Sequence, residues 1–213
     1  MKTTFIPLDY DYFDFEDKNY VFMTGRNAKG EKICVVDSYE PNFWVIIKKE
    51  FEKNAKTVAD KIKKVKAGND SRTSKVTDIK ILDKNFLGKA VKAIQVYVTN
   101  HKDAHAIASA IGDMEEIENR REYDINLISK YIKEKNISPL ESYEVDLSPV
   151  AEDDFGSISK GFEIDCFKLN SIKPGKSEEF TPRTLAYDIE TENIDPSKGK
   201  VLSISLYGPG FKK

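Results

Sequence analysis

The sequence predicts an α+β protein built from an antiparallel meander, a βαββαβ module and a further set of strands. Three observations predict it. Apolar and polar residues alternate with period two over most of the chain. Three stretches instead read as helices, Glu52–Lys66 with the i, i+3, i+4, i+7 spacing of an amphipathic helix. The strands and helices fall in the order β-α-β-β-α-β between residues 42 and 118. With 213 residues, 39% of them hydrophobic and 11% aromatic, the chain can build one or two cores.

The first strand spans Thr3 to Phe15 and is interrupted near Pro7. Strands follow at Tyr20–Thr24 and Lys32–Asp37, joined by the turn-forming Gly25-Arg26-Asn27-Ala28-Lys29-Gly30. Asn42–Ile47 is an apolar strand. Glu52–Lys66 predicts a helix through Ala55, Val58, Ala59, Ile62 and Val65, ended by Gly68-Asn69-Asp70-Ser71. Val76–Leu82 and Val91–Val98 alternate as strands around the turn Asn85-Phe86-Leu87-Gly88-Lys89. Asp103–Ile111 predicts a short helix, and Glu115–Glu118 an edge strand. This order is ferredoxin-like. Val58, Ile62, Val65 and Ile107 are expected in its core.

Asp124–Lys135 predicts another helix with Asp124 as N-cap. Residues 144–159 carry Glu144, Asp146, Glu152, Asp153 and Asp154 and no Lys or Arg, which reads as a connector. Phe162–Leu169 predicts a strand. Pro174-Gly175-Lys176-Ser177-Glu178-Glu179 reads as a linker and boundary. Strands at Thr184–Thr191 and Lys200–Leu206 follow.

Charge and composition exclude several classes. The 34 Lys and Arg against 36 Asp and Glu give a net charge of −2, so no global attraction to nucleic acid is built in. The two cysteines, Cys34 and Cys166, lie far apart and suit a reduced, cytoplasmic protein. With only His101 and His105 they complete no zinc motif. No apolar run approaches a membrane span, and the acids at Asp9, Asp11 and Asp14 fit no secretory signal. His101 and His105 stand at i, i+4 and could share a metal, but no nearby carboxylate or cysteine completes a ligand set. The eight lysines between Lys48 and Lys66 could meet phosphates, but also fit an ordinary outer helix face. Phe43, Trp44 and Tyr97 fit base stacking or, more simply, core packing.

The sharpest chemical signal is Leu185-Ala186-Tyr187-Asp188-Ile189-Glu190-Thr191. On a strand Asp188 and Glu190 share one face about 7 Å apart. Their like charges are best offset by divalent cations, which take carboxylate and phosphate oxygens. Two such ions clamp the attacking and leaving oxygens of phosphodiester hydrolysis. The same pattern also fits a solvated strand face.

That segment resembles the first exonuclease motif of family B DNA polymerases. Asn85-Phe86-Leu87-Gly88-Lys89, Glu122-Tyr123-Asp124-Ile125 and Ile137-Ser138-Pro139-Leu140 resemble, in order, the N-terminal domain of the archaeal members. Gly161-Phe162-Glu163-Ile164-Asp165-Cys166 resembles a connector found in some relatives. The resemblance implies a replicative DNA-directed DNA polymerase with a 3′–5′ proofreading exonuclease. Residues 1–140 would be the N-terminal domain, containing the RNA-binding-like module at about 42–118. Residues 141–180 would be a connector with a strand returning to that domain, and 181–213 the start of a ribonuclease-H-like exonuclease domain. Asp188 and Glu190 would be catalytic metal ligands for Mg2+ or Mn2+, with no ion tightly bound in this segment alone. The implied partners are template and primer DNA and the remainder of the polymerase, in the same chain or as a separate subunit, with no membrane.

The later exonuclease carboxylates and the polymerase metal motifs are not among these 213 residues. The segment is therefore expected to be inactive alone. It would be the N-terminal portion of a longer enzyme or one subunit of a divided polymerase. A free-standing nucleic-acid-binding module and an unrelated ribonuclease-H-like nuclease are the competing readings. Archaeal relatives also hold template uracil in the N-terminal domain. The corresponding positions are Tyr12, Pro41, Asn42, Ala90, Ala93, Ile125, Leu127 and Lys130. Tyr12, Pro41 and Ile125 agree with the family. Asn42 and Leu127 replace aromatics, Ala90 a proline, Ala93 a valine and Lys130 an arginine, so tight uracil recognition is not expected.

Overall fold

A computed structural model describes residues 1–69, 72–151, 154–155, 164–176, 180–181, 184–195 and 197–212. The fold is mixed α+β and mostly strand. It divides into two units, Met1–Ser177 and Glu178–Lys213.

The first unit opens with three antiparallel strands, β1 (Lys2–Phe15), β2 (Lys18–Asn27) and β3 (Lys32–Tyr39). The β1–β2 register shifts between Pro7 and Asp9, where proline can donate no ladder hydrogen bond. Gly25 sits across from that shift. A Cβ there would lie 2.2 Å from the Ile6 carbonyl oxygen, so only glycine lets the strands approach.

A second sheet follows. β4 (Asn42–Ile47), α1 (Ala55–Ile62), β5 (Lys66–Asn69), β6 (Arg72–Phe86), β7 (Lys89–Val98), α2 (Ala104–Gly112) and β8 (Ile117–Arg121) assemble in the sheet order β5-β6-β7-β4-β8, with every pair antiparallel. Phe43, Val45, Ile47, Ile94 and Val96 turn to one face. There they pack against Val58 and Ile62 of α1 and Ile107 and Ile111 of α2. Val65 is partly buried against the same core.

The helix expected over 52–66 is shorter than its periodicity. A 3-10 turn (Lys49–Asn54) precedes α1, and the chain leaves the helix through i→i+3 bonds from Lys64 and Val65. Lys66 then starts β5, a strand the sequence reading did not contain. Asp70 and Ser71, expected to end the helix, lie outside the described residues.

α3 (Leu127–Lys135) also starts later than expected. Its cap is Asn126, whose side chain accepts from the amides of Ile128 and Ser129, and not Asp124. Asn136 ends it in the left-handed conformation. Leu127 and Tyr131 enter the first core beside Phe5, Met23 and Val35.

The acidic segment read as a connector is in part a strand. β9 (Tyr143–Pro149) buries Tyr143, Val145 and Leu147 and turns Glu144 and Asp146 outward. β10 (Cys166–Pro174) pairs antiparallel with β9 and parallel with β3, closing a barrel in the order β1-β2-β3-β10-β9. Residues 161–163, where the Phe162–Leu169 strand was expected to begin, lie outside the described residues.

The second unit is a three-stranded antiparallel sheet of β11 (Ala186–Thr191), β12 (Val201–Gly208) and β13 (Phe211–Lys212), in that order.

Candidate functional site

β11 is held by its ladder with β12, which places Asp188 opposite Ser205 and Glu190 opposite Ser203. Period two therefore gathers Asp188, Glu190, Ser203 and Ser205 on one face. Tyr187, Ile189, Leu202 and Ile204 lie on the other. The hairpin is closed by Asp195, which accepts from the Ser197 amide and hydroxyl and pairs with Lys198 at 2.8 Å. The Lys198 ammonium and the Ser197 donors hold the Asp195 carboxyl below the usual carboxylate range.

Both candidate ligands are exposed, and among the described residues neither side chain makes an ion pair. Two hard oxygen donors on one rigid strand fit part of a divalent-cation ligand set. They do not complete one: no group of three His, Cys, Asp or Glu assembles among the described residues.

A second site lies in the first unit. The face of the five-stranded sheet opposite α1 and α2 forms one wall of a groove of about 780 Å³. Trp44, Ile46, Lys84, Phe86, Ala93, Gln95 and Arg121 line that wall. Glu122, Asp124, Ile125, Lys133 and Glu134 line the other side. The Lys84 ammonium sits 4.6 Å from the Trp44 ring centre and the Arg121 guanidinium 4.8 Å from that of Phe86, so cations lie on aromatic faces.

Lys130, only 3% exposed, is a buried charge paired with carboxylates that line this groove. It pairs with Glu122 at 3.0 Å and Glu134 at 3.8 Å. Glu122 also takes a 2.7 Å bond from Lys133. Burial alone would raise the Glu122 carboxyl. The hydrogen bonds from Lys133 and Lys130 outweigh it and leave the group below its ordinary value. The Asn42 amide donates to Glu134, and its oxygen accepts from Gln95 at 2.9 Å.

The eight candidate pocket positions are thus divided. Ala93 and Ile125 line the groove. Asn42 and Lys130 hydrogen-bond to residues that line it. Pro41 is buried, with its carbonyl bonded to the Val98 amide. Tyr12 packs on the barrel core with its ring edge-on to His101. Leu127 is fully inside that core, and Ala90 is exposed on β7 opposite Asn85. His101 and His105 do not converge; His105 packs on Tyr123 instead. Phe43 is core, whereas Trp44 and Tyr97 lie on the groove face of the sheet.

Sequence reasoning missed Gln95, Glu122 and Glu134. Gln95 shares strand parity with Ala93, and Glu134 stands four residues from Lys130, so both carried a signal. Glu122 reaches Lys130 across a turn that leaves no period.

Comparison with known proteins shows what this chain is similar to. Residues 118–212 match the family model "DNA polymerase family B, exonuclease domain". In sequence this chain is similar to archaeal DNA polymerases, and in fold it is similar to an archaeal family B DNA polymerase. A DNA polymerase of Desulfurococcus sp. (strain Tok) is 30% identical over 138 residues, taking in 64% of this chain and 17% of that protein. DNA polymerase 1 of Pyrococcus abyssi is 25% identical over a segment of the same length and the same coverage. The structure of the family B DNA polymerase from Pyrobaculum calidifontis superposes with a TM-score of 0.70 at 18% identity. It covers 98% of this chain and 26% of that one. The chain thus spans a small part of the length of the relatives it matches. The exonuclease domain of this family implies divalent-metal use in a full-length enzyme.

Proposed function

We propose that this chain is the N-terminal part of a replicative DNA-directed DNA polymerase, with the strand β11 contributing to its 3′–5′ proofreading exonuclease. The observation that carries the reading is the pair Asp188 and Glu190 on one exposed face of β11, within the segment matched by the exonuclease family. β11 and β12 would open a ribonuclease-H-like domain, and β4–β8 with α1 and α2 would form the ferredoxin-like module of the N-terminal domain. Mg2+ or Mn2+ would supply a metal-activated hydroxide and charge stabilisation at the scissile phosphate. The chain's own part is to hold two carboxylates rigidly at a fixed strand spacing. Template and primer DNA and the rest of the polymerase are the partners, in the cytoplasm. The test is Asp188→Ala with Glu190→Ala in the polymerase that carries this region. Exonuclease turnover should fall by about a thousandfold, the several kcal/mol expected of metal catalysis, while polymerisation persists. Retained proofreading overturns the assignment.

The groove of the first unit would contact single-stranded template through its rings and cations. It would not select uracil. Lys130 is neutralised by two carboxylates, the Asn42 amide is already hydrogen-bonded, and Leu127 is sequestered in the barrel. A uracil-containing strand should bind less than about tenfold more tightly than its thymine twin, a margin of about 1.4 kcal/mol, in a salt-sensitive manner. A larger preference in a titration of both strands would refute this.

A further inference from the structure

Cys34 and Cys166 stand far apart in sequence and meet at the barrel seam. They are Cα partners in the parallel pairing of β3 with β10, whose register runs through Cys34, Val35 and Val36. The Cys34 amide donates to the Asp165 carbonyl at 2.8 Å and fixes that register beside them. Val35 and Phe167 point into the barrel core, so the two cysteines share the outer face. They lie there in a small apolar cluster with Val36 and Phe155. Paired strands run about 4.8 Å apart, within the Cα separation of about 4.4–6.8 Å that a disulfide spans. Both cysteines are free thiols.

The two thiols are not equivalent. Cys34 is fully buried, whereas Cys166 is partly exposed. The two sulfurs face one another across the seam. The neighbouring Cys34 side chain, opposed by burial and helped by the Phe167 amide, draws the Cys166 thiol below its usual range. The Cys166 side chain, with burial, pushes Cys34 up. A nucleophilic thiol that solvent can reach, with a buried thiol behind it, has the layout of an attacking and a resolving cysteine.

We propose that Cys166 and Cys34 are a thiol–disulfide exchange site for small disulfide oxidants of the glutathione type, and that their oxidation staples β10 to β3. Cys166 loses its proton to solvent and attacks one sulfur of glutathione disulfide. A Cys166–glutathione bond forms, the oxidant's S–S bond breaks, and one glutathione thiolate leaves. Cys34 then attacks the Cys166 sulfur and expels the second glutathione, its proton passing to the departing thiolate. The protein pair gives up two electrons and two protons, and one glutathione disulfide becomes two thiols. The bond would fix the short parallel seam that closes the barrel, on the strand that runs out to Pro174 at the end of the first unit.

The experiment treats the folded 213-residue chain with glutathione disulfide at neutral pH, alkylates the remaining thiols and maps the peptides by mass. The expected product is an intramolecular cross-link joining the Cys34 and Cys166 peptides. It should raise the melting temperature by several degrees, a gain that a dithiol reductant reverses, because the bond constrains a long loop of the unfolded chain. In Cys34→Ala the reaction should stop at a glutathione adduct on Cys166. In Cys166→Ala the buried Cys34 should stay unmodified while the chain is folded. Wild-type protein that keeps both thiols, or that cross-links only between chains, overturns the proposal. An adduct on Cys34 in folded Cys166→Ala overturns the assigned order. The wild-type arm depends on no variant.

Discussion

Ile94 and Ile204 hold the same kind of position. Each is an alternating apolar residue in an interior strand of an antiparallel sheet, β7 in one unit and β12 in the other. Ile94 is 0% exposed and Ile204 is 57% exposed. Tyr187 and Leu202 share the exposed face with Ile204, whereas Val45 and Val96 share the buried one with Ile94. Alternation decides which side chains turn together. A covering layer decides whether they leave water, and α1 and α2 provide it for β7. Among the described residues of the second unit no helix covers β12.

The largest effect should therefore come from the same substitution made in the two sheets of the 213-residue chain. Ile94→Ala should cost about 3 kcal/mol and lower the melting temperature by roughly 10 °C, because it leaves a cavity between sheet and helices. Ile204→Ala should change stability by less than about 0.5 kcal/mol. Comparable losses in thermal melts of both would show that the second sheet's face is packed in solution.

Those two positions also show what the sequence could reveal. The strand Asn42–Ile47 was legible to the residue, because an apolar run bounded by Pro41 and Lys48 leaves no other reading. The buried set Val58, Ile62 and Ile107 was legible from helical spacing. The strand β9 was hidden because its outward Glu144 and Asp146 draw attention from the buried alternation of Tyr143, Val145 and Leu147. A strand returning to the first unit was expected within 141–180, but its pairing with β3 was not legible from the residues. Parallel pairing across such a sequence distance leaves no local mark, so Cys34 and Cys166 gave no sign of each other. At the candidate site, the shared face of Asp188 and Glu190 follows from period two alone. The carboxylate bridge from Glu122 to Lys130 does not, because a buried lysine looks like a surface one until its partner is placed.

A smaller, pH-dependent effect should come from Glu122 in the first unit. The Glu122 carboxyl is held below its ordinary value in the folded chain by Lys133 and Lys130, against burial. A depressed folded pKa contributes stability above the unfolded value and loses it as pH falls through the folded one. Melting temperature should therefore decline as pH drops from about 5 toward the lowered Glu122 value, and Glu122→Gln should flatten part of that slope. An unchanged slope in the variant, measured in parallel melts, would mean that other carboxylates carry the acid sensitivity.

The smallest effect belongs to the pair in the other unit. Asp188 and Glu190 are exposed, lie about 7 Å apart along β11 and make no ion pair among the described residues. Replacing both by alanine in the 213-residue chain removes a weak repulsion and no packing. Stability should stay level or rise by a few tenths of a kcal/mol, the scale of exposed charge pairs. Alanine is a poorer strand former than residues that fill a pleated surface, which offsets part of that gain. The contrast with a buried charge is the point of the measurement. Lys130→Met in the same chain leaves Glu122 and Glu134 without their buried partner, so it should cost far more than the double alanine change. A melt in which the double variant loses as much as Lys130→Met would mean that the β11 pair serves the fold of this sheet. Its presence on an exposed face would then need no metal to account for it.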